Sequence, residues 1–154
     1  MHINYKKLLP AFIVIMALAT IPLVAADKVI EIVTDQAPKA IGPYSQAVLA
    51  GKTLYISGQI AIDPATSKLA GESIEEQTKQ VLKNIKAILS AQGLTLENVV
   101  RSEVYLKDLS HFKAMNEVYG EHFFQGVKPA RQTVQAAKLP MDALIEISCI
   151  AYIP

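Results

Sequence analysis

Leu144-Ile145-Glu146-Ile147-Ser148-Cys149-Ile150-Ala151-Tyr152 is the stretch on which the fold turns. Ile145, Ile147, Cys149 and Ala151 recur at every second position, with Glu146 and Ser148 between them. A period of two sends the first set to one side of an extended chain and the second to the other. The stretch therefore predicts a strand with one apolar and one polar face. Thr53–Ile60 follows the same rule, with Leu54, Ile56 and Ile60 opposing Thr53, Tyr55, Ser57 and Gln59. In Val99–Leu106, Val100, Val104 and Leu106 oppose Arg101, Glu103 and Tyr105. Further strands are expected at Val29–Val33, at Gln46–Leu49 (a hairpin partner of Thr53–Ile60 across Ala50-Gly51-Lys52) and at Ala130–Ala136.

Between the strands the period changes. Ser73-Ile74-Glu75-Glu76 is a capping box, and Ile74, Thr78, Val81, Leu82, Ile85, Ile88 and Leu89 recur at helical spacing behind it. Gly93 is expected to end that helix through a positive φ at C′. Ser110 is expected to cap a second helix reaching about Phe124, with Phe112, Met115, Val118, Tyr119 and Phe123 as its buried stripe. Pro38, Gly42 and Pro43 make 35–44 an irregular loop, and Asp63-Pro64 and Gly71 mark another. Strands, helix, strand, helix, strands is the order of an α+β layer with both helices on one face. The uncovered polar face must meet water or other subunits.

The N-terminus is unlike the rest. Lys6 and Lys7 precede Leu8–Val24, which is apolar except for Thr20, Pro10 and Pro22, and Val24-Ala25-Ala26 supplies small residues. That order predicts a signal peptide over 1–26, cleaved before Asp27, and a single domain over 27–154. An uncleaved membrane anchor is the alternative, since the apolar stretch is nearly long enough to span. With cleavage the membrane is met only transiently, and a periplasmic or secreted location follows. Of the 15 basic residues only Lys6 and Lys7 precede Asp27, so 13 remain against 14 acidic ones, a net charge of −1. No basic run survives, which argues against a nucleic-acid partner. Cys149 is the only cysteine, and His111 and His122 lack a carboxylate-rich setting, so no metal site is expected.

The sequence contains no phosphate-binding glycine loop and no nucleophile elbow. Its chemistry rests on a charged pair: Arg131 and Thr133 share one strand face, and Glu146 is expected on the corresponding polar face of the next strand. A guanidinium fork matches the two oxygens of a carboxylate, and a nearby Glu can hold a water or move a proton. A plain cross-strand salt bridge is the alternative.

Ala40-Ile41-Gly42-Pro43-Tyr44-Ser45-Gln46-Ala47, Ile56-Ser57-Gly58-Gln59-Ile60, Val104-Tyr105-Leu106-Lys107-Asp108-Leu109, Asn116, Tyr119, Pro129-Ala130-Arg131 and Ile145-Glu146-Ile147 together resemble the RidA (YjgF) family in register, over essentially all of 28–153. The resemblance implies a chorismate-mutase-like α+β fold with a mixed sheet. It implies a homotrimer whose three sheets close a barrel, helices outside, with ligand clefts between subunits. The implied activity is hydrolytic deamination of 2-aminoacrylate-type enamines and imines to 2-keto acids and ammonia, without metal or organic cofactor. By the same resemblance Arg131 holds the substrate carboxylate and Glu146 positions the attacking water. Tyr44, Ser57 and Asn116 fall on pocket positions, and main-chain groups near Thr133 contact the reacting end of a small 2-imino or 2-keto acid. Each has a plainer alternative: Tyr44 closing its loop, Ser57 serving a turn, Asn116 merely exposed. Gly42 and Gly58 are expected to serve backbone geometry. Thr133 departs from the cysteine of many deaminating members, the loop before Pro129 is shortened, and the leader sets this chain apart from the cytoplasmic members. Rival functions are a non-catalytic small-carboxylate binding module, a chaperone-like protein of the same fold, and an endoribonuclease, the last at odds with a net charge of −1.

Overall fold

The computed structural model describes residues 28–123 and 126–154. The expected leader, and the residue Phe124 at which the second helix was expected to end, lie outside them. Six strands, β1 (Val29–Ile32), β2 (Ala47–Ala50), β3 (Thr53–Ile60), β6 (Val99–Leu106), β7 (Ala130–Gln135) and β8 (Ile145–Tyr152), form one sheet in the order β1-β2-β3-β8-β6-β7. β8, last in sequence, enters between β3 and β6 and runs antiparallel to both. β7 alone pairs in parallel, on the outside of β6, after a crossover through helix α2 (Phe112–His122). The loop expected between Asp63 and Gly71 contains a short hairpin, β4 (Ile62–Asp63) with β5 (Lys68–Leu69).

Helix α1 (Ile74–Ser90) starts on the expected capping box: Ser73 Oγ accepts from the Glu76 amide at 3.2 Å, and Glu76 Oε2 accepts from the Ser73 amide at 3.1 Å. Gly93 takes φ +66° two residues beyond the C-cap Ala91. Val81, Leu82, Ile85, Ile88 and Leu89 are fully buried against the core face of the sheet, where Leu54, Val104, Leu106, Ile145, Ile147 and Ala151 meet them. Ser110 does not cap α2: the Asp108 carboxylate, accepting from the Ser110 amide at 2.7 Å, caps the turn that leads into it, and α2 itself begins after His111 without a side-chain cap. A short 3-10 turn over Leu109–His111 follows that cap, rotating Phe112 off the expected stripe so that it stays 42% exposed.

Two bulges change the parity read from the sequence. The β3–β8 register slips between Ile56 and Gln59, so Gln59 faces Ile147 on the core side and Ile60 pairs with Glu146 on the other. Ile60 thus leaves Leu54 and Ile56 and joins a second apolar cluster with Ile62, Leu139 and Ala143. In β6 the slip falls between Val99 and Arg101; Val99 is buried, Val100 is exposed, and Ser102 enters the core.

α1 also carries polar ties to the sheet. Asn84, fully buried, donates through Nδ2 to the carbonyls of Ile60 (3.2 Å) and Ile62 (2.9 Å). Gln77 Oε1 accepts from the Leu144 amide at 2.8 Å, fixing the entry to β8. Asn84→Ala removes the buried donor to both carbonyls and leaves that of Ile62 only the longer bond from Gln80 Nε2 at 3.3 Å. It should cost about 2–3 kcal/mol, the scale of buried groups left unsatisfied; urea unfolding measures it, and a loss below about 0.5 kcal/mol would refute the tie.

Candidate functional site

The loop after β1 is folded back by one side chain. Gln46, buried at the foot of β2, accepts from the Thr34 amide at 2.7 Å. Its Nε2 lies 3.0 Å from the Thr34 carbonyl, 3.2 Å from that of Ala37 and 2.7 Å from that of Pro38. The Ser57 hydroxyl donates to the Ser45 carbonyl at 2.7 Å, tying the end of the same loop to the β3 bulge. Tyr44 accepts from the Ile41 amide at 3.3 Å and leaves half its surface exposed. Between this loop and the bulge lies a cavity of about 320 Å³, walled by Ile41, Tyr44, Ser57, Ile60 and Pro140 and reaching Glu146.

Glu146 is half-buried, and desolvation alone raises its carboxyl above the ordinary range. The bulge makes room for it. A Cβ on Gly58 would overlap Glu146 Oε1 and come within 2.8 Å of Cδ. Tyr105, opposite Glu146 across the β6–β8 ladder, bonds Glu103 instead, at 3.2 Å.

Arg131 lies elsewhere. In the parallel β6–β7 ladder it pairs with Ser102 and Thr133 pairs with Val104, so both project to the side that α2 covers. Its Nη2 donates to Asn116 Oδ1 on α2 at 2.7 Å, and its guanidinium carbon sits 4.7 Å from the Tyr119 ring centre and 5.8 Å from that of Phe112. Burial pushes the Tyr119 phenol up to about 12, and its oxygen lies 2.6 Å from Ser102 Oγ. Thr133 Oγ1 is buried and has no hydrogen-bond partner among the described residues. Nor does Arg131 form a salt bridge among them.

The expectation that Arg131 and Glu146 stand on adjacent strands with side chains on one face is therefore corrected. β6 separates β7 from β8, and the two side chains leave opposite faces of the sheet. The cross-strand salt bridge falls with it. One chain instead holds two groups: Tyr44, Ser57 and Glu146 around the cavity, and Asn116, Arg131 and Thr133 beneath α2. Gln46, Ser102 and the Tyr119 platform were not singled out as site residues. A buried glutamine inside the loop motif was the one available signal, since a polar side chain in a hairpin core position must find partners.

The family model described as endoribonuclease L-PSP matches residues 34–153, which contain all six residues of the two groups. A RutC family protein of Pyrococcus horikoshii is 55% identical over 121 residues, 79% of this chain and 95% of the relative. The chloroplastic Reactive Intermediate Deaminase A of Arabidopsis thaliana is 48% identical over 118 residues, 77% of this chain and 63% of the relative. The crystal structure of E. coli TdcF with bound serine matches with a TM-score of 0.78 at 39% identity, covering 80% of this chain and 98% of that one.

Gly58→Ala tests whether the bulge is shaped for the carboxylate. The methyl group must displace Glu146 toward solvent, at a cost of about 1–3 kcal/mol for overpacking. Released from burial, the Glu146 carboxyl should then titrate lower, in the ordinary carboxylate range. An NMR titration of that carboxyl reads the change, and an unshifted curve would break the link between Gly58 and Glu146.

Proposed function

The chain belongs to the endoribonuclease L-PSP family, the RidA (YjgF) family that its motifs resemble, and from that premise we propose that it deaminates small reactive enamines and imines to 2-keto acids and ammonia. The observation that carries this reading is the division of the candidate residues. The Glu146 cavity offers a water-holding carboxylate and an apolar wall but no partner-free guanidinium. The Arg131 group offers an oriented guanidinium with donors to spare but no carboxylate. Each half lacks what the other has, and a second copy of the chain brings them together. Sheet-face residues with no cover suit such an assembly: Tyr55 and Tyr152 are 49% and 48% exposed, beside Val134 at 42%. The assembly proposed is a homotrimer with its clefts between subunits. Support for the ligand class comes from two relatives, one named as a reactive intermediate deaminase and one solved with serine, a small amino carboxylate.

In this mechanism the substrate carboxylate takes the free donors of Arg131. Glu146 accepts a proton from water as its oxygen attacks the carbon of the protonated imine, giving a neutral carbinolamine. Glu146 then passes that proton to nitrogen, the C–N bond breaks as C=O forms, the hydroxyl proton returns to Glu146, and ammonia leaves a 2-keto acid. No redox step arises, because C=N is exchanged for C=O at the same oxidation level. Residues 1–26 are proposed as a cleaved signal peptide, which places the reaction outside the cytoplasm. N-terminal sequencing of envelope-fraction protein should begin at Asp27, and an intact Lys6-Lys7 in soluble cytoplasmic protein would refute it.

The direct test supplies 2-aminoacrylate generated in situ and follows pyruvate. Arg131→Lys keeps the charge and loses the planar fork, so kcat/KM should fall roughly 10- to 150-fold, the equivalent of ~1.5–3 kcal/mol. Glu146→Gln should lower kcat far more than it weakens pyruvate binding. Pyruvate binding that needs Arg131, with no turnover by the parent, would replace the deaminase with a binding module; a monomer by light scattering would remove the shared site.

The pH dependence follows from burial of Glu146. The carboxylate is the working form, so kcat/KM should fall as pH drops through its raised value, and Glu146→Gln should abolish that limb. Stability runs the other way. A carboxyl raised in the folded state contributes stability that is fully present below its unfolded value and lost as pH rises through the folded one. Glu146→Gln should therefore stabilise the protein near neutral pH, by thermal melting, while it lowers activity.

A further inference from the structure

We propose that Ser102 and Tyr119 are positioning residues that fix the plane of the Arg131 guanidinium; the proposal rests on the reading of Arg131 as the carboxylate anchor. An arginine side chain has many rotamers, and a fork binds two oxygens well only when its plane is set beforehand. α2 supplies two constraints three residues apart, which is one helical turn and hence one face. The Tyr119 ring, 4.7 Å from the guanidinium carbon, sets the tilt of the plane, and Asn116 Oδ1, 2.7 Å from Nη2, sets the rotation within it. The donors left over then point in one direction.

The ring itself must not swing. Its hydroxyl is held by Ser102 Oγ at 2.6 Å in a fully buried contact, and Phe123 stacks on it at 4.4 Å between ring centres. Ser102 is the residue paired with Arg131 in the β6–β7 ladder, so the anchor of the ring and the stem of the arginine stand side by side on neighbouring strands. A serine in the core at this place is otherwise costly. Its neighbours on the same face, Val104 and Leu106, are apolar and fully buried. Ser102 stands on that face by regular alternation with Val104 and Leu106, while the bulge turns Val100 out and buries Val99 instead.

The experiment measures pyruvate affinity together with the Arg131 Nε–H resonance, which a ring current from Tyr119 displaces. Tyr119→Leu removes the aromatic face, while Tyr119→Phe and Ser102→Ala keep the ring and cut its tether. Expected are about a tenfold rise in the dissociation constant for Tyr119→Leu and about threefold for each tether variant, with the resonance moving in all three. Combined with Arg131→Lys, none of them should add a further loss, because the fork they orient is gone; independent structural damage would add. Unchanged affinity and an unmoved resonance in folded Tyr119→Phe and Ser102→Ala overturn the proposal, as does additivity with Arg131→Lys. If the parent binds pyruvate no better than Arg131→Lys, the anchor reading fails instead. The resonance then still decides whether Ser102 and Tyr119 hold the guanidinium.

Discussion

The constraint on which the structure depends is the placing of β8 between β3 and β6. A terminal strand that pairs on both sides must present an unbroken apolar row to the helices, and Ile145, Ile147, Cys149 and Ala151 are all at most 3% exposed. The same alternation forces Glu146 onto the opposite face, at the middle of the sheet rather than at an edge. Half-buried in that position, its carboxyl is raised by desolvation. Core and candidate base are thus two sides of one strand. A shift of one residue in the register of β8 would bury Glu146 under α1 and expose the core row.

The cavity beside Glu146 exists because β3 does not stay regular. Its bulge at Ser57-Gly58 takes the strand out of phase, turns Ile60 to the Glu146 side and leaves Gly58 without a side chain where the carboxylate lies. Such an irregularity needs support, and it comes from buried polar groups at either end. Gln46 and Ser57 tie the preceding loop to the strand, and Asn84 holds the carbonyls that follow. These residues contribute little apolar burial, but removing one strips hydrogen-bond partners from backbone groups that are buried or half-buried.

The strand limits, the capping box of α1 and the two-faced character of β8 were legible in the sequence, because each rests on a local period or a four-residue signal. Strand neighbourhood was not. Nothing in Ala130–Gln135 states that it pairs in parallel with β6 rather than next to β8, and that pairing decides which way Arg131 points. The bulges were equally silent. Gly58 and the run Val99-Val100 mark places where the count could slip, yet alternation carried straight through them gives the wrong side to Ile60, Gln59 and Val100. The motif resemblance implied clefts between subunits, and the residues it pointed to fall in two separate groups within one chain.

That separation has a chemical reason. An arginine and a glutamate facing each other on neighbouring strands would satisfy one another: the guanidinium would lower the carboxyl by charge and hydrogen bonding, and the carboxylate would take the donors meant for a ligand. Binding would then have to break a partly buried pair, whose lost partner is costly to replace. Here the carboxyl stays raised by burial, and the guanidinium is held by an amide oxygen and aromatic faces that leave its charge unneutralised. Asn116 orients where a carboxylate would quench. An anion that meets Arg131 finds it already oriented and still cationic, and a water that meets Glu146 finds a base of higher affinity for its proton. Kept on opposite faces of the sheet, the two properties coexist in one chain, and the proposed assembly would bring them together across an interface with the ligand between them.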